Sequence, residues 1–376
     1  MVRTIDECFF LIRNGANIKQ GTAEGGFPIT RIETITNDKF NRDRMGYAGI
    51  RDISQYEAYV LEDGDLLMSH INSAQFLGRT VLYVREANEI IIHGMNLLRL
   101  KAKRNIINPA YARYCFYGHE FRAQISNITK KSVNQASFAV KDLKRIKIDV
   151  PLISEQTKIV EILDKVQQTI SLRRNELSKL DELISARFVE LFGEPLSNKN
   201  EWQTMSIVEA APIKSQHGDL ADEVWLLNLD AVEAQTGTVL FKNRVQSGEI
   251  NASTVYFTTD NVLYSKLRPY LNKVVMPDED GVATSEMIPL YPLADKLNRA
   301  YLCYWLRSDA FVRHISEKVS GAKMPRVSMD YFRSLAIELP PLGLQEQFAD
   351  FVKVVDKSKV IIYRYLKFGC VMVLYR

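Results

Sequence analysis

Hydrophobic residues in this chain follow two rhythms. From Pro151, the string PLISEQTKIVEILDKV opens a stretch in which Ile159, Leu163, Val166, Ile170, Arg173, Leu177, Leu180, Ile184, Arg187 and Leu191 recur at alternating steps of four and three. Eight of these ten positions are apolar, which predicts one long helix with a heptad seam. Ser154 is a candidate N-cap, and Phe192-Gly193 with Pro195 is a stop signal. At 1.5 Å per residue the helix would span about 58 Å, which suits a coiled coil better than a compact domain. The second rhythm consists of short apolar or alternating runs such as DLLMS (Asp65 to Ser69) and LKRIKIDVP (Leu143 to Pro151), which predict short strands.

The pattern then repeats. PPLGLQEQFADFVKVV places Pro340 opposite Pro151, and Gln345 opposite Gln156, 189 residues on. Upstream, AYARYCFYGHEFRAQI from Ala110 matches AYLCYWLRSDAFVRHI from Ala300, aligning Tyr111 with Tyr301, Tyr114 with Tyr304, Phe121 with Phe311 and Ile125 with Ile315. These aromatics are read as one helical face turned inward. Polar loops follow at matching places, KKSVNQASF (Lys130 to Phe138) and SGAKMPRVS (Ser320 to Ser328). DLLMS faces NVLYS (Asn261 to Ser265), and TRIETI faces LNLDAV. Fixed order with slowly drifting spacing marks two copies of one mixed unit. The fold class expected is α+β: two repeated mixed domains joined by two long antiparallel coiled-coil helices. The expected boundaries are 1–150, 151–194, 195–339 and 340–376.

The second helix begins like the first, with Phe348, Val352 and Val355 in the places of Ile159, Leu163 and Val166, and Ile362 continues the seam. Gly369 then falls where Leu180 was, and CVMVLYR reads as a strand. The helix is therefore expected to stop near Lys367, at about 36 Å.

Composition adds limits. A chain of 376 residues suggests two or three domains. No run of 18 apolar residues and no signal peptide is evident, so the expectation is a cytoplasmic protein without a membrane partner. Cys8, Cys115, Cys303 and Cys370 lie far apart and read as buried thiols. The net charge of +4 is small, but eleven basic residues stand against two acidic ones between Lys101 and Lys147. Such a run is either a solvated face or a phosphate-binding surface.

Catalytic constellations are missing from the sequence. It contains no phosphate loop, no Gly-x-Gly-x-x-Gly, no His-Glu-x-x-His and no Asn-Pro-Pro-Tyr/Phe, and its five histidines lack ligand spacing. No catalytic residue, metal site or cofactor is expected within the chain.

The strings VPLISEQTKIVEILDKV, SARFVELFGEP, EWQTMSI and LPPLGLQEQFADFVKVVDKSK, in this order, resemble the specificity subunit of type I restriction-modification enzymes. The resemblance implies two target-recognition domains, each reading one half of a bipartite double-stranded DNA target, with the helices setting the gap. It implies that methylation and cleavage belong to modification and restriction/translocase subunits, which would hold S-adenosylmethionine, ATP and Mg. The apparently shortened second helix leaves an alternative open, a truncated or decayed allele acting only as a coiled-coil interaction protein. An autonomous methyltransferase is a third reading.

Resemblance names no base contacts, so these are argued from chemistry. Asn and Gln pair with adenine, Arg with guanine, and Lys with phosphate or guanine. The first candidates are Lys130, Lys131, Asn134 and Gln135 in one unit and Lys323 and Arg326 in the other. The second set follows the DLLMS and NVLYS strands: His70, Asn72, Ser73 and Gln75, then Lys266, Arg268 and Tyr270. The competing reading of this second set is that it merely shapes a turn.

Overall fold

A computed structural model of the protein describes residues 1–21, 25–132, 135–215, 222–250, 253–321 and 323–374, with side chains through 366. The chain divides into two compact units, one built chiefly on Met1–Ser171 and the other on Leu172–Lys367. The division falls inside the first long helix, Ile153–Phe192.

The first unit centres on a four-stranded antiparallel sheet. Phe9–Asn14 pairs with Leu97–Ala102, which pairs with Leu66–Ser69, which pairs with Thr80–Leu82. The strand Leu66–Ser69 is buried on both faces, which explains why it reads as an unbroken apolar run. Helices Pro109–Tyr117 and His119–Ile128 pack against it through Tyr111, Phe116, Phe121 and Ile125. Val2–Thr4 pairs antiparallel with Lys147–Asp149, so the unit begins and ends on one strand pair.

The second unit repeats this plan with one change. Its sheet is split into a four-stranded group, holding Glu223–Leu227 and Gly281–Thr284 in parallel, and a three-stranded group holding Val262–Ser265 and Met287–Leu290. Helices Arg299–Arg307 and Asp309–Ser316 bury Tyr301, Tyr304, Phe311 and Ile315, and Thr204–Ser206 pairs with Ala336–Glu338 as the closing strand pair. The aromatic positions aligned from sequence are core in both units, except Tyr114, whose hydroxyl donates to Asp164 at 2.5 Å.

Each long helix is fastened to its own unit by a buried glutamine. Gln156 Oε1 accepts from the Asn108 backbone N–H at 2.8 Å, while Nε2 donates to the carbonyls of Ile106 at 2.9 Å and Pro151 at 2.8 Å. Gln345 repeats the arrangement with Asn298 N–H at 2.7 Å, Lys296 O at 3.1 Å and Pro340 O at 2.7 Å. Both are fully buried. Asn108 and Asn298 are the N-caps of helices Pro109–Tyr117 and Arg299–Arg307, so the same residues start one helix and anchor another.

Three sequence expectations need correction. Ser154 lies inside the first long helix, which starts at Ile153; the Glu155 carboxylate accepts from Leu152 N–H at 3.3 Å instead. The second long helix is not shortened at Lys367, and CVMVL is not a strand, because the helix runs Leu342–Leu374, 33 residues or about 50 Å. A helix once formed propagates at little cost per residue, and a single Gly369 costs only about 1 kcal/mol, so strand propensity loses here. Thirdly, the centre of the helix contact is shifted. Leu177 and Ile184 are buried and Leu180 and Leu191 pack at the edge, but Phe188 and Phe192 occupy the middle. A straight helix turns once in 3.6 residues, so a strict 3.5 repeat drifts and brings i+4 neighbours of Ile184 inward.

Within the second unit the two long helices run antiparallel. Phe188 and Phe192 meet Phe348 at ring-centroid distances of 5.3 and 5.6 Å, and Asp181 pairs with Lys359 at 2.6 Å. Arg173 lies over the Tyr365 ring and also pairs with Glu176, and Arg187 lies over Phe351 and pairs with Glu190. Val352, Val355 and Ile362 are buried along the same face of the second helix. In the first unit Ile159 packs against the core, Leu163 and Val166 are half-buried, and Ile170 is buried. Lys359 sits between Val355 and Ile362 in a largely apolar row, where one charged pair fixes register.

Phe348 is fully buried against three aromatic rings, Phe188, Phe192 and Tyr304. Phe348→Ala is expected to cost about 3–5 kcal/mol. The check is the urea midpoint by circular dichroism; a loss under about 1 kcal/mol would mean that the helices are held elsewhere.

Candidate nucleic-acid interface

The structure joins the two candidate segments of each unit into one site. In the first unit Lys130–Lys131 and Ala136–Ser137 form a hairpin, and Ala136–Ser137 pairs on its other side with Ile71–Asn72. Lys130, Lys131, Ser73, Gln75 and Gln135 are exposed on this small sheet and its margins. The Asn72 carboxamide donates to Ser69 Oγ at 3.3 Å and accepts from Ser73 N–H at 2.8 Å, which shapes the turn. Ser132 closes the hairpin by donating from N–H and Oγ to Gln135 O, both at 2.8 Å. Asn134 lies outside the described residues.

The second unit makes the same join from different residues. Val319–Ser320 pairs with Arg326–Val327, and Arg326 bridges to Leu267. The correspondence is given by two backbone bonds, Phe138 N to His70 O at 3.2 Å and Val327 N to Lys266 O at 3.0 Å. By that register Asn72 corresponds to Arg268 and Ser137 to Arg326. Arg268, Tyr270 and Lys323 are exposed, and Lys266 is half-buried.

Local geometry differs between the two. Arg268 and Asn272 both adopt left-handed backbone, with φ of 50° and 49°, around the turn Pro269–Leu271. A left-handed arginine is uncommon and persists where its surroundings over-determine it. Here its N–H donates to Pro325 O at 2.8 Å, and Asn272 Nδ2 donates to Arg307 O at 2.9 Å. Arg326 is engaged in a two-pronged pair with Glu286, at 3.0 Å from Nε and 2.8 Å from Nη2. The carboxylate holds the guanidinium charged and in place. Sequence reasoning missed Glu286, which carries no motif and lies 40 residues away.

Other candidates have structural employment. His70 is buried against the Phe138 ring, and burial pushes its pKa down to about 4, so it faces the core. Within the basic run, Lys101 pairs with Glu62, Lys144 with Asp6 at 2.9 Å, and Arg104 and Arg122 donate to Asp63 O and Leu77 O at 2.7 and 2.8 Å. Part of the run therefore holds the fold, and Lys130 and Lys131 present charge outward. Cys8 and Cys303 are buried, with burial raising their thiol pKa values, that of Cys8 to about 11; Cys115 is half-buried and also raised to about 11. Such thiols are poor nucleophiles. Among the described residues no group of three or more His, Cys, Asp or Glu is placed to hold a metal ion, and no helix is long and apolar enough to cross a membrane.

A two-fold repeat with a polar hairpin site in each copy matches one protein family. The type I restriction modification DNA specificity domain matches residues 1–182 and again residues 197–365. The chain belongs to the type I restriction-modification DNA specificity family. A specificity subunit assigned to type I restriction enzyme MjaX of Methanocaldococcus jannaschii is 26% identical over 374 residues, spanning 94% of this chain and 86% of its own. The specificity subunit of Escherichia coli type I restriction enzyme EcoDI is 22% identical over 318 residues, spanning 74% and 71%. The crystal structure of a type I restriction-modification S subunit from M. genitalium shares the fold, with a TM-score of 0.56 at 14% identity over 99% of this chain and 93% of that one. The specificity family thus accounts for both copies of the repeat.

Beside the first site, His93 is fully buried, its Nε2 lies 2.8 Å from Leu97 O, and burial pushes its pKa down to about 3. His93 and His70 are neutral when folded, whereas the unfolded chain takes up protons near the ordinary value of 6.5. Their contribution is complete above pH 6.5 and is lost as pH falls toward the folded values. The urea midpoint of the first unit's transition is expected to drop between pH 6.5 and 5, above the carboxylate range; an unmoved midpoint would exclude buried neutral histidines.

Proposed function

We propose that this chain is the DNA-reading subunit of a type I restriction-modification complex, in which each unit reads one half of a bipartite duplex target. The observation that carries this reading is the duplicated site: the same hairpin and strand-end segments meet in both units but present different side chains. Two scaffolds of one plan with different reading groups suit two unlike half-sites. In the first unit, Lys130 and Lys131 contact phosphate, and Asn72, Ser73 and Gln135, with Asn134, supply amide and hydroxyl groups toward base edges. In the second, Arg268 and Lys323 extend to the duplex, with Lys266 beside them, and Arg326 is held ready by Glu286. The four segments 1–150, 151–194, 195–339 and 340–376 serve as reader, spacer helix, reader and spacer helix.

Modification subunits dock on the helices and carry S-adenosylmethionine, and a restriction/translocase subunit supplies ATP- and Mg-dependent chemistry. This chain contributes recognition and no catalytic group, and it acts in the cytoplasm, where the DNA is. The interaction-only alternative began from a second helix ending near Lys367, and that premise falls with the helix continuing to Leu374.

The test is selection of bound fragments from random duplex DNA by the full chain co-expressed with its modification subunit. Two short constant blocks around a fixed gap are expected; recovery of unsplit or random sequence from a stable complex would sink the reading. The site residues can be separated in the same assay. Replacing Lys130 and Lys131 together by Ala should weaken binding to all sequences and reduce the slope of log K against log salt by up to about 2. Glu286→Gln should alter preference in one half-site only, because it releases Arg326; unchanged preference in both would remove Arg326 from the reading surface.

A further inference from the structure

We propose that Gln156 and Gln345 are positioning residues that fix the angle between each long helix and its own reading unit, and that the chain's selectivity for gap length depends on them. This rests on the bipartite reading above and assigns its spacing component to two side chains. The argument begins with hydrogen-bond capacity. A glutamine amide has two N–H donors and a carbonyl acceptor, and in both copies both donors and the acceptor are used. The N–H partner of Oε1 and the two carbonyl partners of Nε2 leave one possible orientation of the amide. The three partners lie on two pieces of chain: the proline before the long helix, and the loop that ends in the N-cap residue of a shorter helix. One planar group therefore sets the long helix in direction and in rotation about its axis relative to the domain.

A second bond in each copy reinforces the joint. Tyr111 Oη donates to Asp149 O, and Tyr301 Oη to Glu338 O, each at 3.1 Å, tying the capped helix to the last strand before the proline. The surroundings differ. Ile106 in one copy is Lys296 in the other, and Ile159, three residues after Gln156, is Phe348 after Gln345. What the copies share is the bond set, to within 0.2 Å in every distance. Apolar packing alone would tolerate a helix that rocks, since dispersion contacts are weakly directional. Buried hydrogen bonds are directional, and a rocked helix would leave up to three polar groups unpaired without water. A few degrees of rocking at the base of a helix of about 50–60 Å moves its far end by several Å, comparable with the 3.4 Å rise of one base pair.

The experiment compares full-length wild type with Gln156→Met, Gln345→Met and the double variant, each co-expressed with the modification subunit and used to select from random duplexes. Methionine keeps the length and packing and removes all three bonds. The expected result is an unchanged sequence in both half-sites, with the preference for the best gap over gaps one base pair longer or shorter falling several-fold, and further in the double variant. A folded variant whose gap distribution stays as narrow as that of wild type overturns the proposal, as does a variant that loses half-site sequence together with gap preference. Should the methionine variants fail to fold, the Gln→Glu pair, which keeps the bond from Asn108 or Asn298 and loses donated bonds, is read the same way. Failure of wild type itself to select a split motif overturns the bipartite reading, and that arm is scored before any variant.

Discussion

A buried side-chain amide that must find three partners at once is the constraint on which this protein is organised. Gln156 and Gln345 sit in the first turn of a long helix, and each satisfies polar groups of the proline before that helix and of the loop and N-cap that start a shorter one. Leaving such groups unpaired in a dry interior costs more than making the bonds gains, so the arrangement is enforced more than it is rewarded. Around it, packing does the bulk of the stabilising. In the second unit the Phe188, Phe192, Tyr301 and Phe348 rings form one continuous contact between both long helices and the domain. Packing of this sort holds elements together; the amides determine how they are held.

The surface sites follow a different logic. Their backbone pairing is shared between the units while their side chains are not, so the scaffold can carry unlike reading groups without changing its core. Strain is confined to one of them, at Arg268 and Asn272, where the backbone is held left-handed by bonds to Pro325 and Arg307. In the other, an ordinary Asn72 turn suffices.

Features with local periodicity were legible in the sequence. The seam as far as Ile184 and the Pro-x-x-x-x-Gln starts are read from spacing alone, as were the inward aromatics, because helical and strand periods are set by backbone geometry. What escaped was non-local or graded. Phe188 and Phe192 displaced the expected Arg187 and Leu191 because the heptad drifts against a 3.6-residue turn. CVMVL was read by its strand propensity, which a helix already formed overrides. The sequence placed the hairpin loops and the strand-end residues in separate candidate sets, and nothing in it says that Leu267 bridges Arg326 or that Glu286 claims the same arginine. Gln156 and Gln345 could be aligned, but the reason for their equivalence lies in a carbonyl and an N–H far from them in sequence, Ile106 and Asn108 for one and Lys296 and Asn298 for the other.

The closing strand pairs carry one more consequence. Val2–Thr4 with Lys147–Asp149, and Thr204–Ser206 with Ala336–Glu338, bring the two ends of each unit to one place, beside the proline that starts a long helix. In the path of the chain, each reading unit is a loop closed at its base by a three-residue strand pair. In the second unit the base is held again from the side, where Phe188 and Phe192 pack on Tyr301. A unit closed in this way can change the length and sequence of the chain between its paired strands while the point from which the long helix departs stays where it is.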